Sequence, residues 1–411
     1  MQSLKYWVWL STINGIGAMT AMRLLNHFGS PENVFMADLP QYLKVPDIKP
    51  GDAARLSDKS LDGASLILAE CAECGCRIVT FRDEEYSERL RNIYDPPIVL
   101  YVRGHLPDID GEPIVSIVGS RDCTPYGIGA AESISHGLAS RGVIVATGLA
   151  RGIDSAAVRG AMLGGGRVIG VVGTGLDVVY PPENVELFDD VANYGAIISE
   201  YPPKTPPAKN HFPARNRIIS GISLGVAVIE APKRSGALIT AARALEQGRD
   251  VFSLPGNVDA RSCEGSNALL RDGAIPILSA EDIISEYAEL FPDKISEGGK
   301  PSFSPDDDAD KHRKLRSGQA VSDAAKKIVS KKEIDKQTGV EYIDLNEIID
   351  ALDGDEGIVA NTIKANSVHI DEIIQNSGLP PQQVLTAITM LEIKGAVVQS
   401  GGKYYSLAKP E

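Results

Sequence analysis

The runs IVSIVG (residues 114–119), VIVATGL (143–149), RVIGVVG (167–173), AIISEY (196–201), GVAVIEA (225–231), DVFSLPG (250–256) and AIPILS (274–279) decide the fold. Each is short and continuously apolar, and a loop or a segment of helical character separates it from the next. Strands have this composition when helices cover both faces of a parallel sheet, because neither face is left for polar side chains. Seven such runs predict an α/β domain over residues 91–290, a Rossmann-like, doubly wound, mostly parallel sheet.

The flanking segments differ. Residues 1–90 predict an N-terminal helical module of helix-hairpin-helix or SAM-like type. Within it, LSTINGIGAMTAMRLLNHFGSPENVF (10–35) reads as two short helices joined by Ile13-Asn14-Gly15-Ile16-Gly17. Such a turn lets backbone amides approach a phosphate, although an ordinary glycine-closed hairpin has the same pattern. DPPIVLYVRG (95–104) predicts a strand entering the central domain. Residues 291–340 are rich in Ser, Gly, Pro and blocked charge, as a flexible linker is. Residues 311–332 of this linker hold eight Lys/Arg against one acid, Asp323, a solvated run that could add weak DNA affinity. Residues 341–411 predict a winged-helix-like domain: helix, turn, helix, then a two-stranded ribbon with Gly401-Gly402 at its tip. Its second helix offers only Glu392 and Lys394, and the domain holds eleven acids against four bases. That composition predicts contact with protein, or no contact, rather than with DNA.

A chain of 411 residues with net charge -14 does not coat nucleic acid or an anionic membrane with its whole surface, so any DNA contact must be local. No run of about 18 apolar residues is present, and MQSLKYWVWLSTING lacks a signal-peptide pattern, which predicts a cytoplasmic protein with no membrane partner. Five cysteines are too few and too uneven for a secreted scaffold. Cys71, Cys74 and Cys76 lack a matching second pair of ligands and are expected to be buried or half-buried thiols at a helix–strand junction, with no metal.

One segment reverses the acidity. No carboxylate lies between Glu200 and Glu230, where Lys204, Lys209, Arg215 and Arg217 surround the aromatic Phe212. Basic groups neutralise phosphate and an exposed ring can stack on an unpaired base, which predicts a single-stranded nucleic-acid site. Other unusual residues fall at the carboxyl ends of the predicted strands, where open α/β sheets bind ligands. Gly119-Ser120-Arg121 follows the first strand, and Ser235-Gly236 opens the helix after the fifth, each suited to an anion. Catalytic and cofactor signatures are missing: there is no G-x-x-x-x-G-K-[ST], no G-x-G-x-x-G after the first strand and no H-E-x-x-H. G-x-S-x-G at 221–225 has a helix before it and a strand after it, the reverse of a nucleophile elbow. His211 reads as a general base or as a phosphate- or base-facing group. Glu230 reads as a sugar-polarising acid or as a partner for Lys233 or Arg234.

The strings GSRDCTPYG (119–127), TGLARGIDSAA (147–157), GTGLDVVYPPEN (173–184), HFPARNRIISGISLGVAVIEA (211–231), SGALITAARALEQGRDVFSLPGN (235–257) and EGSNALLRDGA (264–274) resemble, in order, the DprA/Smf family of DNA-processing proteins. One departure is Val158, where the family usually has histidine. The resemblance implies a non-catalytic mediator that binds single-stranded DNA, protects it in natural transformation, pairs as a homodimer and loads RecA onto DNA coated by single-strand-binding protein. It further implies a phosphate pocket of Ser120, Arg121, Lys209, Asn216, Arg217 and the Ser235-Gly236 helix start, with Phe212 against a base. No cofactor is implied. The competing reading is a nucleotide-processing enzyme similar to lysine-decarboxylase-like phosphoribohydrolases, which SGALIT and VFSLPG resemble loosely. The catalytic PGGxGTxxE run of those enzymes is missing here.

Overall fold

The computed structural model describes residues 3–295, 355–363, 368–393, 397–400 and 404–407, and the chain divides into two units, Met1–Arg313 and Lys314–Glu411. The first unit opens with helices α1 (Leu4–Thr12), α2 (Ala18–Phe28), α3 (Pro31–Met36), α4 (Leu39–Tyr42), α5 (Pro50–Leu56) and α6 (Asp62–Glu73). Strand β1 (Arg77–Thr80), the single turn α7 (Glu88–Arg91) and β2 (Val99–Gly104) follow. From there strand and helix alternate: β3 (Ile114–Val118), α8 (Pro125–Ser140), β4 (Ile144–Thr147), α9 (Ile153–Leu163), β5 (Val168–Val172), α10 (Val185–Tyr194), β6 (Ala196–Ser199) and α11 (His211–Ile222). The series closes with β7 (Gly225–Val228), α12 (Gly236–Glu246), β8 (Asp250–Ser253), α13 (Glu264–Arg271), β9 (Ile275–Pro276) and α14 (Ala280–Tyr287).

All nine strands form one sheet in the order β1-β2-β6-β5-β4-β3-β7-β8-β9. The seven strands β3–β9 are mutually parallel and coincide with the seven apolar runs. Every residue of β3, β4, β5, β6 and β7 is buried, which is why these runs carry no polar face. β2 and β1 add an antiparallel edge beside β6, so the sheet reaches back to Arg77. That first strand therefore lies inside the 1–90 stretch expected to be a separate helical module.

Helices α8 and α9 pack side by side on one face of the sheet, and α11 and α12 cover the other. Helices α8 and α9 touch along small residues: a Cβ built on Gly160 would lie 2.2 Å from the backbone oxygen of Glu132. Val158, on the same helix, is fully buried. At the N-terminal end, Lys59 extends over the rings of Trp9, Phe35 and Tyr42, and burial pulls its ammonium down to about 8. Cys71 and Cys76 are buried and Cys74 is half-buried, at the junction of α6 and β1.

The second unit holds α15 (Asp355–Ile363), β10 (Val368–His369), α16 (Ile370–Ser377), α17 (Pro381–Ile393), β11 (Val397–Ser400) and β12 (Tyr404–Leu407). Its strands pair in the order β10-β12-β11, and Val359, Ile363, Ile373, Val384, Ile388, Leu391 and Val397 form its core. This is a winged-helix domain, with one more helix in front than the sequence pattern indicated. Lys394, Gly401, Gly402 and the basic run 311–332 lie outside the described residues.

Gly160→Ala is expected to force α8 and α9 apart and lower stability by roughly 1–3 kcal/mol. Urea unfolding of the variant measures this, and an unchanged midpoint would mean the helix pair has slack at this crossing.

Candidate nucleic-acid interface

β3 has β4 on one side and β7 on the other: the chain runs from β3 through β4 and β5 to β6, then crosses back through α11 to β7, so the strand order reverses at β3. Such a reversal opens a crevice beyond the carboxyl ends of the strands. A cavity of about 390 Å³ occupies this crevice. Its walls are the turn after β3 (Gly119, Ser120, Arg121, Asp122), Ala150 and Asp154 after β4, and one face of α11. Arg234, Ser235 and Gly236 after β7 complete it. A side recess of about 80 Å³, reached past Arg121 and Phe212, is bounded by Arg151 and Tyr180.

The turn after β3 is fixed from the neighbouring strand. Ser120 donates its amide to the Glu230 carbonyl oxygen at 2.7 Å, and the Glu230 carboxylate accepts the Thr124 hydroxyl at 2.8 Å and the Thr124 amide. Glu230 is fully buried, so it neither pairs with Lys233 or Arg234 nor faces a sugar; both readings of this residue are corrected. Gly152, at φ +78°, permits the next loop to press against the turn, where a Cβ would lie 2.4 Å from the Ser120 carbonyl oxygen. Arg121 is exposed, its guanidinium 5.2 Å from the centre of the Phe212 ring. Phe212 also meets Tyr180, ring centres 5.5 Å apart.

Helix α11 divides the basic segment between two sites. Phe212, Arg215, Asn216 and Ile219 recur at helical spacing and line the cavity. His211, Ala214 and Arg217 lie on another face and line a separate groove of about 700 Å³ beside the Asn14–Ala21 hairpin turn. Arg217 is thereby removed from the phosphate pocket assigned to it. Its guanidinium binds Glu200 at 2.7 Å and Asp95 at 3.2 Å, and although burial opposes its charge, those carboxylates hold its pKa above the ordinary value. His211 stacks on Tyr201 at 4.0 Å, with Nδ1 3.1 Å from the Gly173 carbonyl oxygen. The hairpin turn thus lines this groove beside Arg217, whose charge Glu200 and Asp95 already neutralise.

The remaining assigned residues have distinct roles. Lys204 is bridged to Glu70 at 2.9 Å, a bond that raises its pKa, and Lys209 is exposed on the loop ahead of α11, outside the cavity lining. Arg215 is only 5% exposed; its Nη1 donates to the carbonyl oxygens of Gly148, at 2.8 Å, and Val171. Burial brings its pKa down to about 10, Asp154 opposing that fall and Arg121 adding to it. Asp154 is buried too, which raises its pKa against the pull of Arg215, and it accepts the amides of Gly148 and Ala150. Asn216 donates its side-chain amide to the Gly236 carbonyl oxygen at 3.2 Å and so positions the start of α12, which Ser235 caps through the Ala237 amide. Ser223 of the G-x-S-x-G string is buried and bonded to Ser116 at 2.6 Å, with α11 before it and β7 after it.

Sequence reasoning did not single out Asp154, Tyr180, Arg151 or Arg234. Arg151, Tyr180 and Arg234 sit in glycine- or proline-rich loops at strand ends and Asp154 in the first turn of α9, and only strand order shows which of these segments converge.

A family model described as DNA recombination-mediator protein A matches residues 77–288. A DprA winged helix domain matches 346–403, and a SAM-like helix-hairpin-helix tandem matches 10–59. DNA processing protein DprA of Streptococcus pneumoniae is 46% identical over 205 residues, which are 50% of this chain and 72% of that one. Protein Smf of Synechocystis is 37% identical over 293 residues, 69% of this chain and 73% of that one. The X-ray structure of the Streptococcus pneumoniae protein superposes with a TM-score of 0.61 at 35% identity, covering 69% of this chain and 97% of that one. The parallel sheet, the helical tandem ahead of it and the winged helix behind it therefore have one explanation: the chain belongs to the DNA recombination-mediator protein A family, the DprA/Smf proteins.

Proposed function

We propose that this protein is a recombination mediator that binds single-stranded DNA at the crevice above β3 and β7. The observation that carries this reading is convergence. In a chain of net charge -14, Arg121, Arg215, Arg234, the Ser235–Gly236 helix start and the Phe212 ring all line one cavity. Amides and guanidinium groups suit a phosphate backbone, and the ring suits an unstacked base, which a duplex does not present. Lys209, exposed at the entrance to α11, extends the positive surface for the next phosphate. Pairing with a second copy, transfer of the strand from single-strand-binding protein to RecA, protection of DNA in natural transformation and a cytoplasmic setting belong to the same proposal, supported by family membership. Among the described residues no helix is long and apolar enough to cross a membrane. Glu230, the residue considered as a sugar-polarising acid, is engaged by Thr124 and does not serve a nucleotide-cleaving site.

Titration of labelled oligo-dT against increasing salt is expected to show steep salt dependence. Arg121→Ala and Lys209→Ala should each flatten the log–log slope by about 0.7. Phe212→Ala should weaken binding by about 1–3 kcal/mol. Equal binding of duplex and oligo-dT, or unaltered affinity in all three variants, overturns the assignment.

Arg217→Ala is expected to behave differently. It should cost on the order of 2–3 kcal/mol of stability, below a fully buried pair because Asp95 and Glu200 are partly exposed, while the folded fraction keeps its DNA affinity. Thermal melts alongside DNA titration separate the two effects.

A further inference from the structure

The geometry points to a second ligand for the central cavity: a free nucleoside 5′-monophosphate, held one to one and in competition with DNA. This inference extends the DNA-binding reading but has its own support. A strand crossing an open groove is held by a series of similar exposed contacts. Here the innermost wall carries buried groups instead. Arg215 is 5% exposed, with Nη1 bonded to backbone carbonyls while Nη2 carries no hydrogen bond, and Nε is sealed without a partner. Asp154, 7% exposed, lies on the same wall. A buried guanidinium with an unused donor calls for an acceptor from a ligand, since the surrounding protein supplies none.

The dimensions fit one nucleotide. At about 390 Å³ the cavity falls in the range typical of small-molecule sites, roughly 300–1,000 Å³, and its linings differ by region. The Gly119–Arg121 turn and the start of α12, an eleven-residue helix, suit a phosphate. Gly236 helps here, because nothing stands within 4 Å of where its Cβ would be. Phe212, backed by Tyr180, offers a face for a base or sugar. Arg121, Arg215 and Arg234 line a single recess together with Asp122 and Asp154, so the lining keeps a net positive charge.

Isothermal titration of the full chain with thymidine 5′-monophosphate, inorganic phosphate and thymidine provides the test, together with displacement of labelled oligo-dT. The monophosphate is expected to bind one to one, at least tenfold more tightly than phosphate or thymidine, and to displace oligo-dT. Arg121→Ala, whose side chain is exposed and outside the core, should reduce its affinity about tenfold. Arg215→Lys keeps the charge but loses the guanidinium fork, and should also weaken it if the variant melts like wild type. Affinity no better than that of phosphate would overturn the inference, as would binding that neither displaces oligo-dT nor responds to Arg121→Ala. If oligo-dT binds in an Arg121-dependent manner and the monophosphate does not bind, the inference fails while the DNA reading stands. If neither binds, both fail.

Discussion

The position of β3 between β4 and β7 is the constraint on which the rest of this molecule depends. A strand whose neighbours are reached by connections running opposite ways cannot be roofed by its own loops, so its carboxyl end stays open. The cavity lining is gathered at that opening by chain topology, from residues up to 122 positions apart (Val118 to Thr240). Glu230, at the end of β7, then ties the open turn to its neighbour through Ser120 and Thr124. On one face of the sheet, α8 and α9 pack as closely as Gly160 allows.

The architecture was legible in the chain because a buried parallel strand leaves a clear trace: seven apolar runs, seven parallel strands. The strand after Cys76 was legible too, but its place at the edge of the central sheet was not, since its partner β2 lies beyond α7 in the chain. The winged helix was legible from element order, but the helix Asp355–Ile363 precedes the pattern that announces such a domain.

The site was legible in kind and only partly in detail. Charge counting finds that residues 201–229 lack carboxylates, yet it cannot say where four cations point. Arg215 and Arg217 are two residues apart, about 200° around a helix, so one faces the cavity and the other faces Asp95 and Glu200. Lys204 goes to Glu70, a partner 134 positions earlier that no local reading of sequence supplies. Glu230 misled for a similar reason: its proximity to Lys233 and Arg234 suggested pairing, whereas its acceptors serve a turn on another strand.

The tie made by Glu230 has a kinetic consequence. A glycine- and serine-bearing turn left to itself samples many conformers, and a ligand would have to wait for the one it can use. Here the buried carboxylate selects one conformer when the chain folds, so the turn is already set before any ligand arrives. Under the proposed function, capture of a phosphate at this turn is a single-step encounter, with a rate set by collision and electrostatic steering and no slow rearrangement after contact.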